Sequence, residues 1–117
     1  MTDIKRLKIG SRMSQAVVHG NTVYLAGQVA VDAAGTPGAE QTRNVLDRID
    51  ALLKEAGTDR TKLISATIGL ADIGSFAEMN SVWDSWVSPG NTPARACVEA
   101  KLAAPDYTVE IGIVAAI

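Results

Sequence analysis

The chain has 117 residues, of which 47% are apolar and 21% are charged, and its formal net charge is −2. This length and composition predict one soluble globular domain over residues 1–117, with no room for a second core. The longest basic run is Lys5-Arg6 and aromatic residues make up only 4%, which excludes nucleic acid as a main partner.

Cysteine and histidine are too few for several kinds of site. Cys97 is the only cysteine and His19 the only histidine, which excludes an internal disulfide and any cysteine-based or two-histidine metal site. Asp3, Arg6 and Lys8 interrupt any apolar run that would form a signal peptide, and no stretch is long enough to cross a membrane. We therefore expect a cytoplasmic protein without a membrane partner.

The first part of the chain predicts three strands. Ile4–Ile9 has the pattern of a short edge strand, and Ser14–His19 follows it. Gly20-Asn21 is a hairpin turn signal, and residues 22–29 form the partner strand. Gly27 interrupts that strand, which predicts either a bulge or a backbone exposed to a ligand.

A loop at 32–38 precedes the first predicted helix, which Gly57 is well placed to end. Its apolar stripe consists of Val45, Leu46, Ile49, Leu52, Leu53 and Ala56. Leu63–Leu70 then has the composition of a buried strand. A strand, a helix and a strand in this order predict a right-handed crossover with parallel pairing.

The second predicted helix begins at a capping box formed by Ser75 and Glu78 and stops before Pro89-Gly90. Its apolar stripe, which we interpret as core and not as a cofactor surface, consists of Phe76, Met79, Val82, Trp83, Trp86 and Val87. Two helices cover one face of a sheet. The last strand, 107–117, ends in five apolar residues, so the other face predicts self-association.

Arg95 points most directly to a binding site. It lies in the run 92–99, where alternation places Arg95, Cys97 and Glu99 on one face of a strand. A guanidinium is costly to bury unless it is paired, and its planar donors match a carboxylate. The strand therefore predicts a docking place for a small carboxylate. The alternative is an arginine on a solvated face, paired with Glu99 or with nothing.

Glu110 is the second candidate. Its strand follows the Arg95 strand after one short turn, so the two are expected to pair as an antiparallel hairpin with Arg95 near Glu110. In such a pair the arginine binds a carboxylate and the glutamate transfers a proton or positions a water. The alternative is a structural Arg–Glu salt bridge. His19 is interpreted as solvent-facing, and Cys97 as a packed or partly exposed thiol, because no second histidine is present to activate it.

Several segments together form a recognisable pattern. They are Gly20-Asn21 followed by 25–29, Gln41-Thr42, residues 76–80, residues 93–99 and Val109-Glu110-Ile111. In this combination the chain resembles the Rid family, the reactive intermediate deaminases also called the YjgF or L-PSP family, over essentially its whole length. Residues 84–87 and 113–116 look most like the YoaB-type subgroup.

The resemblance implies a chorismate-mutase-like α+β fold, a mixed sheet with two helices on one face, and a homotrimer with clefts built from two chains. It implies hydrolysis of 2-imino acids to 2-oxo acids and ammonia, as by 2-iminobutanoate/2-iminopropanoate deaminase, without a cofactor. Arg95 would bind the substrate carboxylate and Glu110 would orient the attacking water. Gly27 and Cys97 would line the imine pocket.

Two positions depart from the RidA-type pattern. Arg12-Met13 stands where a tyrosine is usual, and Ala26 replaces a serine, so two hydroxyl groups that could orient an imine or a water are missing. Arg12 would add a second cation, which favours a dicarboxylate or another anion. A trimeric carboxylate binder without turnover is therefore the alternative to a deaminase. The acidic balance and single histidine argue against an endoribonuclease.

Overall fold

The computed structural model describes residues 3–117; of the predicted domain, residues 1 and 2 lie outside the described residues. Seven strands and two α-helices form one mixed sheet with the helices on one face. The strands are β1 Ile4–Ile9, β2 Ser14–His19, β3 Thr22–Leu25, β4 Gln28–Val29, β5 Leu63–Leu70, β6 Ala94–Glu99 and β7 Val109–Ala116, and the helices are α1 Gly38–Glu55 and α2 Phe76–Trp86.

Strand β7 lies in the middle of this sheet. The strand order is β1-β2-β3-β7-β5-β6, and β7 runs antiparallel to β3, β4 and β5. The predicted parallel pairing of the strands on either side of α1 is therefore wrong, because β7 separates β3 from β5. The predicted hairpin of β6 and β7 is also wrong, because β5 lies between them. Parallel pairing occurs instead between β5 and β6, which α2 connects.

Local sequence signals were more accurate than the predicted pairings. The predicted bounds of β1, β2 and β5 are confirmed, and His19 and Thr22 pair across the Gly20-Asn21 turn. Gly57, which follows the last turn of α1, has φ +87°, a left-handed conformation that glycine adopts without a steric penalty. The predicted strand 22–29 is instead divided into β3 and β4 by Ala26 and Gly27.

The start of α2 differs from the predicted capping box. A short 3-10 turn at Ile73–Ser75 precedes the helix, and Asp72 accepts a hydrogen bond from Gly74 N at 2.8 Å. Ser75 has φ −86° and ψ 8° and makes no side-chain cap; its hydroxyl donates to Asp72 O at 2.8 Å. A capping serine needs an extended backbone, which the 3-10 turn does not allow here.

The two helices pack on one face of the sheet. Every second side chain of β5 and β7 points to that face and is buried. Ala66, Ile68, Ile111 and Ile113 are at most 2% exposed, and the predicted stripe of α1 packs against them. The stripe of α2 is also core at Met79, Val82, Trp83 and Trp86, whereas Phe76 is 41% exposed. We call this side the helix face and the other side the open face.

Within residues 3–117, no helix covers the open face. One row across it consists of Val17, Tyr24, Val114, Ser65 and Ala94. Tyr24 is 48% exposed and Val98, further along β6, is 54% exposed. Apart from His19, Glu110 is the only charged side chain that strands β2 to β7 place on this face. The uncovered surface fits the predicted self-association, which stays a prediction.

Gln41 joins the first turn of α1 to the segment before β7. It is fully buried, and its Nε2 donates to Thr36 O at 2.9 Å and to Asp106 O at 2.8 Å. Its Oε1 accepts from Thr108 N at 2.9 Å. Backbone groups that are buried need such partners, so one side chain fixes two loops.

We expect Gln41→Leu to lower the free energy of unfolding by about 2–4 kcal/mol, because it leaves buried backbone groups without partners. Urea unfolding followed by circular dichroism measures this. Arg43→Leu, an exposed position on the same helix, is the control and should change stability by less than about 0.5 kcal/mol. If the Gln41 and Arg43 variants were equally stable, the proposed role of Gln41 in joining α1 to the segment before β7 would be wrong.

Candidate functional site

Arg95 lies on the edge strand β6, held by three side chains of α2. Its Nη1 donates to Asn80 Oδ1 at 2.8 Å. Its Cζ lies 5.4 Å from the centre of the Trp83 ring and 5.7 Å from that of Phe76, the geometry of cation–π contacts. The guanidinium itself is exposed. Asn80 and the rings therefore fix its direction without neutralising its charge.

Asn80 is a site residue that was not predicted from the sequence. Phe76, Asn80 and Trp83 are spaced four and three residues apart, which places them on one face of a helix, so the spacing was an available signal. The alternative pairing of Arg95 with Glu99 is wrong: Glu99 Oε2 accepts from Ile73 N at 3.1 Å. Within residues 3–117 no carboxylate pairs with Arg95, so its charge is available to a ligand.

Cys97 lies two residues from Arg95, on the same face of β6, and is half-buried as predicted. Burial raises the pKa of its thiol, and the nearby Arg95 charge opposes that rise by lowering the pKa. The thiol is therefore the dominant form at neutral pH, which does not favour Cys97 as a nucleophile.

Glu110 lies on the open face, half-buried beside Gly27. A Cβ atom at position 27 would lie 2.9 Å from Glu110 Cδ and 3.2 Å from its Oε1, so the absence of a side chain makes room for the carboxylate. Ala26, next to Gly27, donates its N–H to Gln15 O at 2.9 Å. Within the described residues the Glu110 carboxylate has no ion-pair partner. The close approach predicted at Gly27 is thus made by Glu110.

Arg95 and Glu110 do not meet within one chain. Arg95 lies beside Ala66 of β5, whereas Glu110 lies beside Gly69 of the same strand. Paired residues share a face and successive residues alternate, so Arg95 is on the helix face and Glu110 on the open face. Their strands are also about 10 Å apart across β5. The expected neighbouring pair is wrong because it depended on the hairpin of β6 and β7.

Arg12 and Met13, the remaining predicted site residues, lie in a turn away from β6. Arg12 and Met13 are exposed in the turn between β1 and β2, where Gly10 N donates to Met13 O at 2.8 Å. That turn leads into Ser14-Gln15, which is beside Ala26. The site residues thus form two groups: an arginine group of Arg95, Cys97 and Asn80, and a glutamate group of Glu110, Gly27 and Ala26. Met13 and Arg12 belong to neither group and lie in the turn before β2.

Three further findings concern the described residues. An open cavity of about 580 Å³ lies beside the end of β6, next to Glu99, Lys101 and Tyr107. In residues 3–117, no three His, Cys, Asp or Glu side chains are grouped to hold a metal ion. Neither α1 nor α2, the helices of that part of the chain, is long and apolar enough to cross a membrane.

Comparison with known proteins identifies relatives over nearly the whole chain. Residues 4–117 match the family described as Endoribonuclease L-PSP. The chain is 43% identical to the RutC family protein YoaB of Escherichia coli (strain K12), over 97% of this chain and 98% of that protein. It is 47% identical to NMB1025, a member of the YjgF protein family from Neisseria meningitidis, whose crystal structure gives a TM-score of 0.94 over 97% of this chain and 94% of that one.

A more distant relative has a named activity. The 2-iminobutanoate/2-iminopropanoate deaminase of Rattus norvegicus is 34% identical over 87% of this chain and 77% of its own length. The comparisons confirm the resemblance found in the sequence and the α+β fold of one mixed sheet with two helices. The homotrimer stays a prediction.

The Cys97 environment predicts slow alkylation. Because burial raises the folded pKa above the unfolded value, the thiolate should form at higher pH in the folded protein than in urea. Arg95→Met should raise the pKa further and slow iodoacetamide labelling at pH 8, whereas Lys54→Met, on the exposed side of α1, should not. Mass spectrometry of the labelled fraction over time gives the rates. Faster labelling of Arg95→Met would contradict this assignment.

Proposed function

We propose that this chain, which belongs to the Endoribonuclease L-PSP family, also called the RutC, YjgF or Rid family, hydrolyses 2-imino acids to 2-oxo acids and ammonia. The observation that carries the proposal is the setting of Arg95. Its guanidinium is held by Asn80, Trp83 and Phe76 and pairs with no carboxylate of its own chain within residues 3–117. The rat relative named as a deaminase of two such imino acids supports the same chemistry.

Arg95 binds the substrate carboxylate in this proposal. Its Nη1 is engaged by Asn80, so the N–H groups that remain form the fork that accepts a carboxylate with two hydrogen bonds. The rings on either side restrict the guanidinium to one direction before the substrate arrives. Such preorganisation lowers the entropy cost of placing the imine carbon for attack.

Glu110 positions the attacking water. Its carboxylate is half-buried and has no ion-pair partner in the described residues, so it is available to accept a proton from water. The water oxygen bonds to the imine carbon, the nitrogen takes up protons, and the carbon–nitrogen bond breaks to release ammonia and the 2-oxo acid. The carbon of an imine that is protonated on nitrogen is already electrophilic, so the reaction needs no cofactor, only a placed water and proton transfer.

The substrate site is assembled from two copies of the chain. The arginine group and the glutamate group lie on opposite faces and on strands separated by β5, so a small substrate cannot contact both within one copy. We assign the arginine group of one copy and the glutamate group of the next to each cleft of a homotrimer. Contact between open faces would bury exposed side chains such as Tyr24 and Val98.

A trimeric carboxylate binder without turnover is the second candidate. It is favoured by Met13 and Ala26, which supply no hydroxyl group to orient an imine nitrogen or a water. Arg12, next to Met13, would favour a dicarboxylate or another anion by adding a second cation to the cleft. A ribonuclease activity is disfavoured, because the single His19 is exposed at a turn and the net charge is −2.

An imine-trapping assay separates the deaminase from the binder. A serine or threonine dehydratase supplies the imino acid and semicarbazide competes for it. Glu110→Gln should lose hydrolysis and still bind 2-oxobutanoate, because Arg95 is intact. Arg95→Ala should lose both by roughly a hundredfold or more, whereas Asp84→Asn, an exposed carboxylate on α2, should resemble the wild type. Unchanged turnover in Glu110→Gln would eliminate the role given to Glu110.

A mixing experiment tests the two-copy site. Arg95→Ala and Glu110→Gln chains, each inactive alone, are unfolded together in equal amounts and refolded. If each cleft takes its arginine and glutamate from different copies, about a quarter of the clefts contain both native residues and activity returns to about that fraction. A mixture as inactive as its components would show that the copies do not share the site. Refolded wild type and each variant alone are the controls.

A further inference from the structure

A second hollow lies on the helix face, between α1 and the first two strands. Its volume is about 270 Å³, and it is lined by Lys8, Gln15, Gln28, Arg48, Ala51 and Leu52. Arg95 is on the opposite edge of the sheet, and Glu110 is on the open face. The hollow therefore lies away from Arg95 and on the other face of the sheet from Glu110, although Gln28 connects it to Ala26 of the glutamate group. A ligand could bind in it whether or not the chain is a deaminase.

Gln28 organises the polar groups of this hollow. It is 2% exposed, and its Nε2 donates to Gln15 Oε1 at 2.9 Å and to Ala26 O at 3.0 Å. Its Oε1 accepts from Arg48 Nε at 3.3 Å. The Nε2 and the Oε1 of Gln28 are thus both hydrogen-bonded. These bonds hold the side-chain oxygen of Gln15 and the Nε of Arg48 in place. The amide nitrogen of Gln15 and the two terminal nitrogens of Arg48 are left as donors.

Lys8 adds a third donor group from the edge strand. Its φ is 50°, the only positive φ of a non-glycine residue in the described chain. A left-handed lysine inside a strand is a strained arrangement, and such outliers concentrate at binding sites. Its Nζ lies 3.9 Å from Glu55 Oε2, and Arg48 Nη1 lies 3.9 Å from Asp32 Oδ2. At these distances the exposed carboxylates attract the cations only weakly through solvent.

We propose that this hollow binds a small oxyanion, the phosphate or carboxylate group of a compound with a short apolar part. Lys8 and Arg48 supply positive charge, and Gln15 supplies an amide N–H. Charge-assisted hydrogen bonds of this kind are the stronger ones in proteins. Ala51 and Leu52 form an apolar wall against which a short carbon chain would pack. A volume of about 270 Å³ suits a small ligand, because sites for drug-sized molecules begin at about 300 Å³.

Titration followed by ¹H–¹⁵N NMR tests the proposal. The protein carries Arg95→Ala so that the arginine group takes no carboxylate. Inorganic phosphate and butanoate are titrated separately, and the stronger binder identifies the class of oxyanion. The side-chain amide signals of Gln15 and Gln28 should shift in a saturable way. Lys8→Met should weaken binding by at least about tenfold, and Arg43→Met, an exposed arginine of α1 outside the hollow, should change it less than about twofold.

Two further variants sharpen the result. Asp32→Asn removes a carboxylate that competes with the anion for Arg48 and should tighten binding by about threefold. Arg48→Met should abolish saturable binding. This variant also leaves the buried Gln28 oxygen without a donor and could unfold for that reason. In that case Lys8→Met is the deciding variant, because the Lys8 side chain is 60% exposed. Absence of saturable shifts with either anion, wild-type affinity in Lys8→Met, or equal loss in Arg43→Met would overturn the proposal.

Discussion

The position of β7 is the constraint on which the other features depend. Its residues Val109, Ile111, Ile113 and Ala115 are at most 1% exposed and lie under the helices, so the strand is both the centre of the sheet and the floor of the core. Because it pairs with β3, β4 and β5, these strands acquire their register through β7. Gln41 then fixes the segment that leads into it.

The central position of β7 also determines where Arg95 and Glu110 lie. With β7 inserted, β6 becomes an edge strand, and Arg95 is presented beside α2 at the border of the molecule, not above the middle of the sheet. Glu110 is turned to the open face, next to the one position, Gly27, where the backbone lets it fit. A single copy therefore holds the arginine group and the glutamate group apart. The proposed association of copies would account for both the uncovered sheet face and the divided site.

Local features could be predicted from the sequence, and long-range pairings could not. Gly57 and the largely apolar segment Leu63–Leu70 act through the conformation of a few neighbouring residues, so each can be recognised from the order of residues in the sequence. Which strands become neighbours depends on β7, about 40 residues beyond β5 in the sequence, and no local pattern records that partner. A prediction can also fail at short range. The sequence predicts Ser75 as the cap of α2, but Asp72 accepts the capping hydrogen bond, from Gly74 N. Helical spacing places Phe76, Asn80 and Trp83 on one face of α2, but it does not show that Arg95 contacts that face.

The central place of a strand near the end of the sequence also sets the order in which the protein can fold. On the ribosome, β3 and β5 emerge long before residues 109–116 and have no partner along the edges that β7 will occupy. Only the β1–β2–β3 meander and the β5–α2–β6 unit can form early, and each exposes an unpaired edge until β7 arrives. Non-local pairing of this kind slows folding and leaves strands open to wrong partners. The nascent chain is therefore most exposed to aggregation in the interval before β7 is released.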